Sequence, residues 1–339
     1  MLKIEIVLLV NNVVLPFQNL KRDFDLDFIE LNKLFASKSI AEHGLGFLIN
    51  IYEGKEDSDF SKIIKQIIFD TGGSNHTFLH NLDIRGYTLY DTDDLILSHW
   101  HYDHIGGLYD ILERIESPVS IYCHEDALYE RFFNRSLEIN TKELVKKNRE
   151  EIIPLLNNAK IVNQLPVNLK VIKELNGKLI MHKNVKKIFE KNNLKITVSG
   201  EIKRTHKEES FSNFLINRNE IIHFDEILDD KCLIIEINDS VILINGCCHS
   251  GIMNTIDYVD DLTRKPISHI IGGFHMANSK KERIDATLEY LDTYQTQDLV
   301  LFPIHCSGDS FIEKINEMNS TSLKAFNLSV GSVFHFYSA

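Results

Sequence analysis

Three imidazoles and one carboxylate crowd into the short run Ser98-His99-Trp100-His101-Tyr102-Asp103-His104. A hydrophobic core gains nothing from that density of polar groups, because each needs its own hydrogen-bond partner once buried. A divalent metal does gain, since neutral imidazole and carboxylate are standard ligands of zinc and its neighbours. The run follows Asp94-Leu95-Ile96-Leu97 and precedes Ile105-Gly106-Gly107, so it occupies the turn at a strand's end. There a rigid scaffold can aim several side chains at one point. In an extended segment His99 and His101 point to the same side and can share one ion. Asp103 and His104, just beyond, can take a second.

A centre of this kind needs ligands from elsewhere in the chain. Three further apolar runs end in histidine-bearing turns: 241–244 before Gly246-Cys247-Cys248-His249, 267–271 before Gly272-Gly273-Phe274-His275, and 299–303 before His305-Cys306-Ser307-Gly308. His249 and His305 read as metal ligands. His275 reads as a ligand or a substrate contact. Asp70, at the head of Asp70-Thr71-Gly72-Gly73, reads as a carboxylate that orients an imidazole. Cys247, Cys248 and Cys306 have thiols that could ligate, but read as small buried hydrophobes. Strands, turns and helices recur in both halves of the chain. That predicts an α+β fold, an αββα sandwich of two facing sheets with helices outside and the histidine corners along one edge. The Lys-, Asn- and Glu-rich stretch 134–195 reads as an insertion or lid within a single domain spanning 1–339. A solvated linker with a helix is the alternative.

Composition narrows the function. The formal net charge of −12 excludes a surface built to coat nucleic acid. An anionic small-molecule substrate must then be met by a local positive site, which bound metal would supply. The five cysteines form no CxxC pair and no disulfide framework, so a reducing cytoplasm is expected. No apolar run approaches the roughly 18 residues of a membrane span, and residues 2–10 read as a first strand.

The segment Leu97-Ser98-His99-Trp100-His101-Tyr102-Asp103-His104-Ile105-Gly106-Gly107-Leu108 resembles the signature of the metallo-β-lactamase superfamily. Ala41-Glu42-His43-Gly44-Leu45-Gly46, Ser199-Gly200-Glu201-Ile202, Gly246-Cys247-Cys248-His249-Ser250-Gly251 and Pro303-Ile304-His305-Cys306-Ser307-Gly308 are similar to one branch of it. That branch includes the dihydropteroate-synthase-like archaeal enzymes that make 7,8-dihydropterin-6-methyl-4-(β-D-ribofuranosyl)aminobenzene 5'-phosphate. The resemblance implies the superfamily's sandwich with one or two divalent ions, Zn first, Mn or Fe as alternatives. It implies His99, His101, Asp103, His104, His249 and His305 as their ligands. The acidic bridging residue usual in the superfamily is absent here: Gly246 or Cys247 stands in its place. Two enzymatic readings follow: a transferase joining a dihydropterin methyl diphosphate to an arylamine with release of pyrophosphate, or a hydrolase of a phosphoester or lactone. A ligand-binding sensor without turnover is a third. Asp103 and His275 are the candidate catalytic residues. His43, Lys203 and Arg204 are candidate substrate contacts, and Phe211, Phe214 and Phe274 are candidate stacking partners for a pterin ring.

Overall fold

The computed structural model describes residues 1–18, 28–31, 38–54, 62–136, 138–211, 213–294, 299–318 and 323–338. Its strands are apolar on both faces, which only a sheet covered on both sides can accommodate. In Leu2–Val10, Leu2, Ile4, Ile6 and Leu8 enter one core while Val7 and Leu9 enter another. In Cys232–Ile237, Leu233, Ile235 and Ile237 share the first of those cores, and Cys232 and Ile234 face a third. The shared core is the interior of the sandwich. Burying each such aliphatic side chain contributes about 1.5–3 kcal/mol, and this clamp fixes where the strand ends lie.

The first sheet has eight strands, in the order Ile29–Leu31, Ser332–Ser338, Leu2–Val10, Gly46–Glu53, Lys62–Phe69, Thr92–Ile96, Val119–Cys123, Gly177–Met181. The second has seven: Lys186–Lys191, Leu194–Val198, Cys232–Ile237, Ser240–Asn245, Ile267–Gly272, Leu299–Pro303, Leu323–Ala325. Helices Thr77–Ile84 and Leu108–Arg114 pack on the outside of the first sheet. Helices Ile252–Thr263, Lys281–Thr293 and Asp309–Glu317 pack on the outside of the second. The αββα sandwich read from the sequence is therefore the architecture found. Lys62–Phe69 and Thr92–Ile96 run parallel in one sheet, and Ser240–Asn245, Ile267–Gly272 and Leu299–Pro303 run parallel in the other. The histidine turns follow the carboxyl ends of these strands, the usual position of ligand sites in parallel sheets.

A third sheet of four strands, Ile221–Phe224, Phe214–Arg218, Arg131–Asn134 and Ile161–Gln164, stands beside the sandwich. It has its own core of Phe132, Leu144, Ile152, Ile161, Leu215 and Ile222. Its first hairpin turns at Asn219 and Glu220, both at positive φ (53° and 64°), the conformation a two-residue turn of matching twist requires. The 134–195 stretch is thus divided between units. Gly177–Met181 extends the eight-stranded sheet and Lys186–Lys191 edges the seven-stranded one. Residues 169–172 lie in the helix Leu169–Glu174, capped by Asn168 Oδ1 accepting from Val171 N. Glu125–Leu128 forms a single turn, followed by the strand Arg131–Asn134, in which Phe133 pairs with Phe214. Among the described residues no helix is long and apolar enough to cross a membrane.

Candidate metal centre

The histidine turns meet where the two sheets present their carboxyl edges. Close approach depends on glycine: a Cβ at Gly246 would lie 2.2 Å from Ser98 Oγ. Four non-glycine residues of these turns adopt positive φ, namely Asp70 (57°), Cys248 (59°), His275 (48°) and His305 (55°). Each such residue costs about 1–2 kcal/mol, so the packed sandwich holds strain here that a purely structural edge would shed.

Asp70 organises the first turn. Its Oδ1 accepts from Ser98 N at 2.8 Å, and its Oδ2 accepts from Ser98 Oγ at 2.7 Å and His104 Nδ1 at 2.7 Å. Because Ser98 Oγ spends its one proton on Asp70, it accepts from His99 Nδ1 at 2.9 Å. His99 Nε2 is thereby left as a lone pair with no partner. His305 Nδ1 meets Asn12 Oδ1 at 3.0 Å, which turns its Nε2 inward to face Asp103 Oδ2 at 3.2 Å. Two lone pairs at that distance are favourable only with a proton or a cation between them. Both ring nitrogens of His249, and Nδ1 of His275, are buried without partners. Unpaired buried nitrogens converging in one place are costly unless something binds them.

The ligand atoms fall into overlapping sets, each within 4.8 Å: Asp103, His104, Cys247 and His305; His99, Cys247 and His249; Cys247, His275 and Cys306. Cys247 belongs to all three. Its Sγ lies 3.1 Å from His104 Nε2, at the position where the acidic bridge was missing. Cys247 is buried as expected, and its thiol also lies at the centre of the three sets. The signal was present in the sequence, since Cys247 follows the very strand whose end lacks the acidic residue. Burial, then Cys306 and Asp103, pushes its pKa well up, so the thiol keeps its proton unless a cation takes that place. A donor set of imidazole, carboxylate and thiolate suits Zn or Fe better than Mn.

His101 flanks the second set. Its ring centroid is 4.5 Å from that of His99 and 5.0 Å from that of His249, and it stacks on Phe214 at 5.0 Å. Burial and Arg131 bring its pKa down to about 3. Burial likewise holds His99 and His249 well below the ordinary histidine value, so these imidazoles are neutral donors at physiological pH. His104 differs: burial works downward, but Asp70 and Asp103 outweigh it and lift the pKa to about 9. Burial also opposes the charge on Asp103, yet His104 and His305 hold its carboxyl well below the usual range.

The peripheral sheet braces the centre. Buried Arg131 lies 2.8 Å from Asp229 Oδ1 through Nη2, and Asp229 Oδ2 accepts from Trp100 N at 2.7 Å. Phe214 from the same sheet and the adjacent Phe211 form an aromatic wall against the centre, each ring 5.3 Å from that of His249. Phe274 is fully buried under the helices and is not part of this wall.

The six candidate ligands therefore come together, as does His275, whose ring is 4.3 Å from that of His249. His43 reaches the rim, stacked on His305 at 4.8 Å and 3.4 Å from Asp103 Oδ2. Lys203 and Arg204 are engaged elsewhere. Lys203 is exposed and lines a hollow with Val185, Thr205 and Asp257, and Arg204 Nη2 donates to the carbonyl of Ile227 at 3.0 Å.

Comparison with known proteins agrees with this fold. The family model of the metallo-beta-lactamase superfamily matches residues 65–172. The chain is 28% identical over 288 residues to an uncharacterized protein of Methanocaldococcus jannaschii, covering 84% of this chain and 91% of that one. It is 24% identical over 296 residues to the 7,8-dihydropterin-6-methyl-4-(beta-D-ribofuranosyl)-aminobenzene-5'-phosphate synthase of the same organism, covering 86% and 90%. Its fold superposes on the crystal structure of a metal-dependent hydrolase of the beta-lactamase superfamily with a TM-score of 0.67, at 19% identity and 99% coverage of each chain.

Proposed function

For a chain that has the metallo-β-lactamase fold and carries that superfamily's domain over residues 65–172, we propose a metal-dependent enzyme that transfers a dihydropterin methyl group from diphosphate to an arylamine. The observation that carries the metal dependence is the ring of unpartnered nitrogens, on His99, His249 and His305, around the Cys247 thiol. Divalent ions bound there would supply Lewis acidity and positive charge for a leaving pyrophosphate. The similarity to the dihydropterin synthase supports the transferase reading, and so does the aromatic wall of Phe211 and Phe214, which suits a flat heterocycle.

In this reaction the amine lone pair forms the new C–N bond while the C–O bond breaks and its electrons leave with pyrophosphate. One proton is released from the amine. We assign its acceptance to His275, whose buried Nδ1 has no hydrogen-bond partner. Asp103, kept ionised by His104 and His305, contributes negative charge to the ligand set and makes a poor base. Phe211 and Phe214 orient the ring and exclude water that would divert the reaction to hydrolysis.

Hydrolysis of a phosphoester or lactone is the second reading. It is favoured by the half-exposed His43 beside Asp103, which leaves a route for water to the centre. The test is metal analysis of protein purified without chelator, followed by assay of pyrophosphate release from dihydropterin methyl diphosphate. Close to two ions per chain and release that requires 4-aminobenzoate are expected. Release without the amine selects the hydrolase, and metal-free protein with no turnover of either kind removes both readings.

A further inference from the structure

The helix Lys281–Thr293 packs behind the centre and carries a cation that neither the core nor the proposed ligand set uses. Arg283, in its first turn, is only 6% exposed. Its Nε and Nη2 have no hydrogen-bond partner among the described residues. Those two nitrogens form one edge of the guanidinium, the edge that grips two oxygens of one anion at once. The group lies over Phe211, 5.4 Å from the ring centroid, and Phe211 is in turn 5.3 Å from the rings of His249 and His275. Arg283 is thus one aromatic ring away from the candidate metal centre.

The nearby carboxylate attracts it without bonding to it. Glu209 is buried, but its oxygens accept from Met253 N at 3.1 Å, Asn254 N at 3.0 Å and Asn254 Nδ2 at 2.8 Å. Those bonds cap the start of the helix Ile252–Thr263, so Glu209 is committed to the fold. Among the described residues no carboxylate lies within ion-pair distance of Arg283. A buried guanidinium with an unpartnered two-pronged edge costs stability in the free protein, which the field of Glu209 and the Phe211 ring offset in part and a bound anion would offset further. Surface arginines carry no such penalty.

We infer that Arg283 binds a phosphoryl group of the substrate, separate from the group that the metal centre engages. This rests on the proposed metal-dependent activity and names its substrate class: a molecule with a flat ring against Phe211 and Phe214 and a phosphoryl group on the Arg283 side. In a protein of net charge −12, this supplies the local positive site that an anionic substrate needs. A phosphoryl dianion offsets the burial of the guanidinium better than a carboxylate does.

The test reads anion binding without turnover. Protein stripped of metal with a chelator is titrated with inorganic phosphate by calorimetry, with benzoate in a parallel arm. Saturable phosphate binding is expected, weakened about 10–100-fold in Arg283→Met and less in Arg283→Lys, while both variants take up Zn with unaltered stoichiometry. In the unaltered protein, phosphate should also protect Arg283 from phenylglyoxal, read by mass spectrometry, which keeps the site testable if either variant misfolds. Absence of phosphate binding, equal binding by Arg283→Met, or no protection of Arg283 overturns the inference. Benzoate binding as tightly as phosphate overturns the phosphoryl assignment. None of these results depends on metal, so failure here is distinct from failure of the metal-dependent reading, which shows as absent Zn uptake.

Discussion

The two halves of the candidate centre are built by different means. Around Asp103, His104 and His305, each imidazole is held from behind by a polar partner: Asp70 for His104 and Asn12 for His305. Around His99, His101 and His249 the restraint is mostly packing. Only His99 has such a partner, Ser98, while His101 lies flat on Phe214 and His249 is enclosed by aromatic rings. The first half is charged and oriented before any ion arrives. The second is neutral and apolar. Hydrogen bonds fix the direction of a lone pair, whereas packing fixes only the position of a ring. The halves should therefore differ in affinity, in pH dependence and in their response to substitution, with Cys247 as the one element common to both.

Cys247→Ala tests the shared element and carries the largest expected effect. Metal content should fall from about two ions per chain to well below one, and activity by more than the roughly 10–100-fold typical of an outer partner. Retention of one tightly held ion would show that the halves are independent and that Cys247 does not join them. Next comes Asp70→Asn, which keeps the shape but weakens the orientation of His104. The ion of the charged half should bind about 10–100-fold more weakly, while the other is unchanged. Equal loss of both ions, read by competition with a chromophoric chelator, would erase the distinction between the halves.

How much of this was legible in the sequence follows the same divide. His99, His101, Asp103 and His104 sit in one short turn, so their convergence is local and readable. His249 and His305 were readable because each follows an apolar run that had to be a strand. The sandwich was readable for the same reason, since strand–turn–helix units in both halves leave few other ways to bury so many aliphatic residues. Cys247 reads as filler from the sequence because a buried thiol looks alike as filler or as ligand until its distance to His104 is known. The third sheet was missed because Arg131–Asn134 pairs with Phe214–Arg218 across a long separation that no local pattern reports. Arg283 was missed because an arginine on an amphipathic helix reads as surface, and Lys203 and Arg204 drew attention because they are adjacent.

The pH response sharpens the contrast. In the metal-free protein His104 holds a proton up to about pH 9, and an ion that binds its Nε2 must displace it. The His104 proton alone should thus weaken the charged half about tenfold for each unit of pH below 9, in addition to the proton that Cys247 gives up on binding. The sign follows from the shift: the pKa is raised, so the proton-bound, metal-free form gains as pH falls. His99, His101 and His249 have lowered pKa values and should add no proton of their own between pH 6 and 8, so the slope of their half should be shallower by about one proton. Calorimetry in buffers of different ionisation enthalpy counts the protons, and equal slopes for both ions would contradict the assignment.

The smallest expected effect is at Phe214. A stacked aromatic pair contributes about 0.5–1.5 kcal/mol beyond its buried area, so Phe214→Ala should release His101 at a cost of only about 2–10-fold in affinity for the neutral half. The charged half, whose side chains do not touch the ring, should be unaffected. Phe214→Tyr keeps the stack and should restore binding. If the alanine variant instead lost both ions, the peripheral sheet would have to be holding the whole centre. The contact from Arg131 through Asp229 to the Trp100 backbone would then outweigh the aromatic stack.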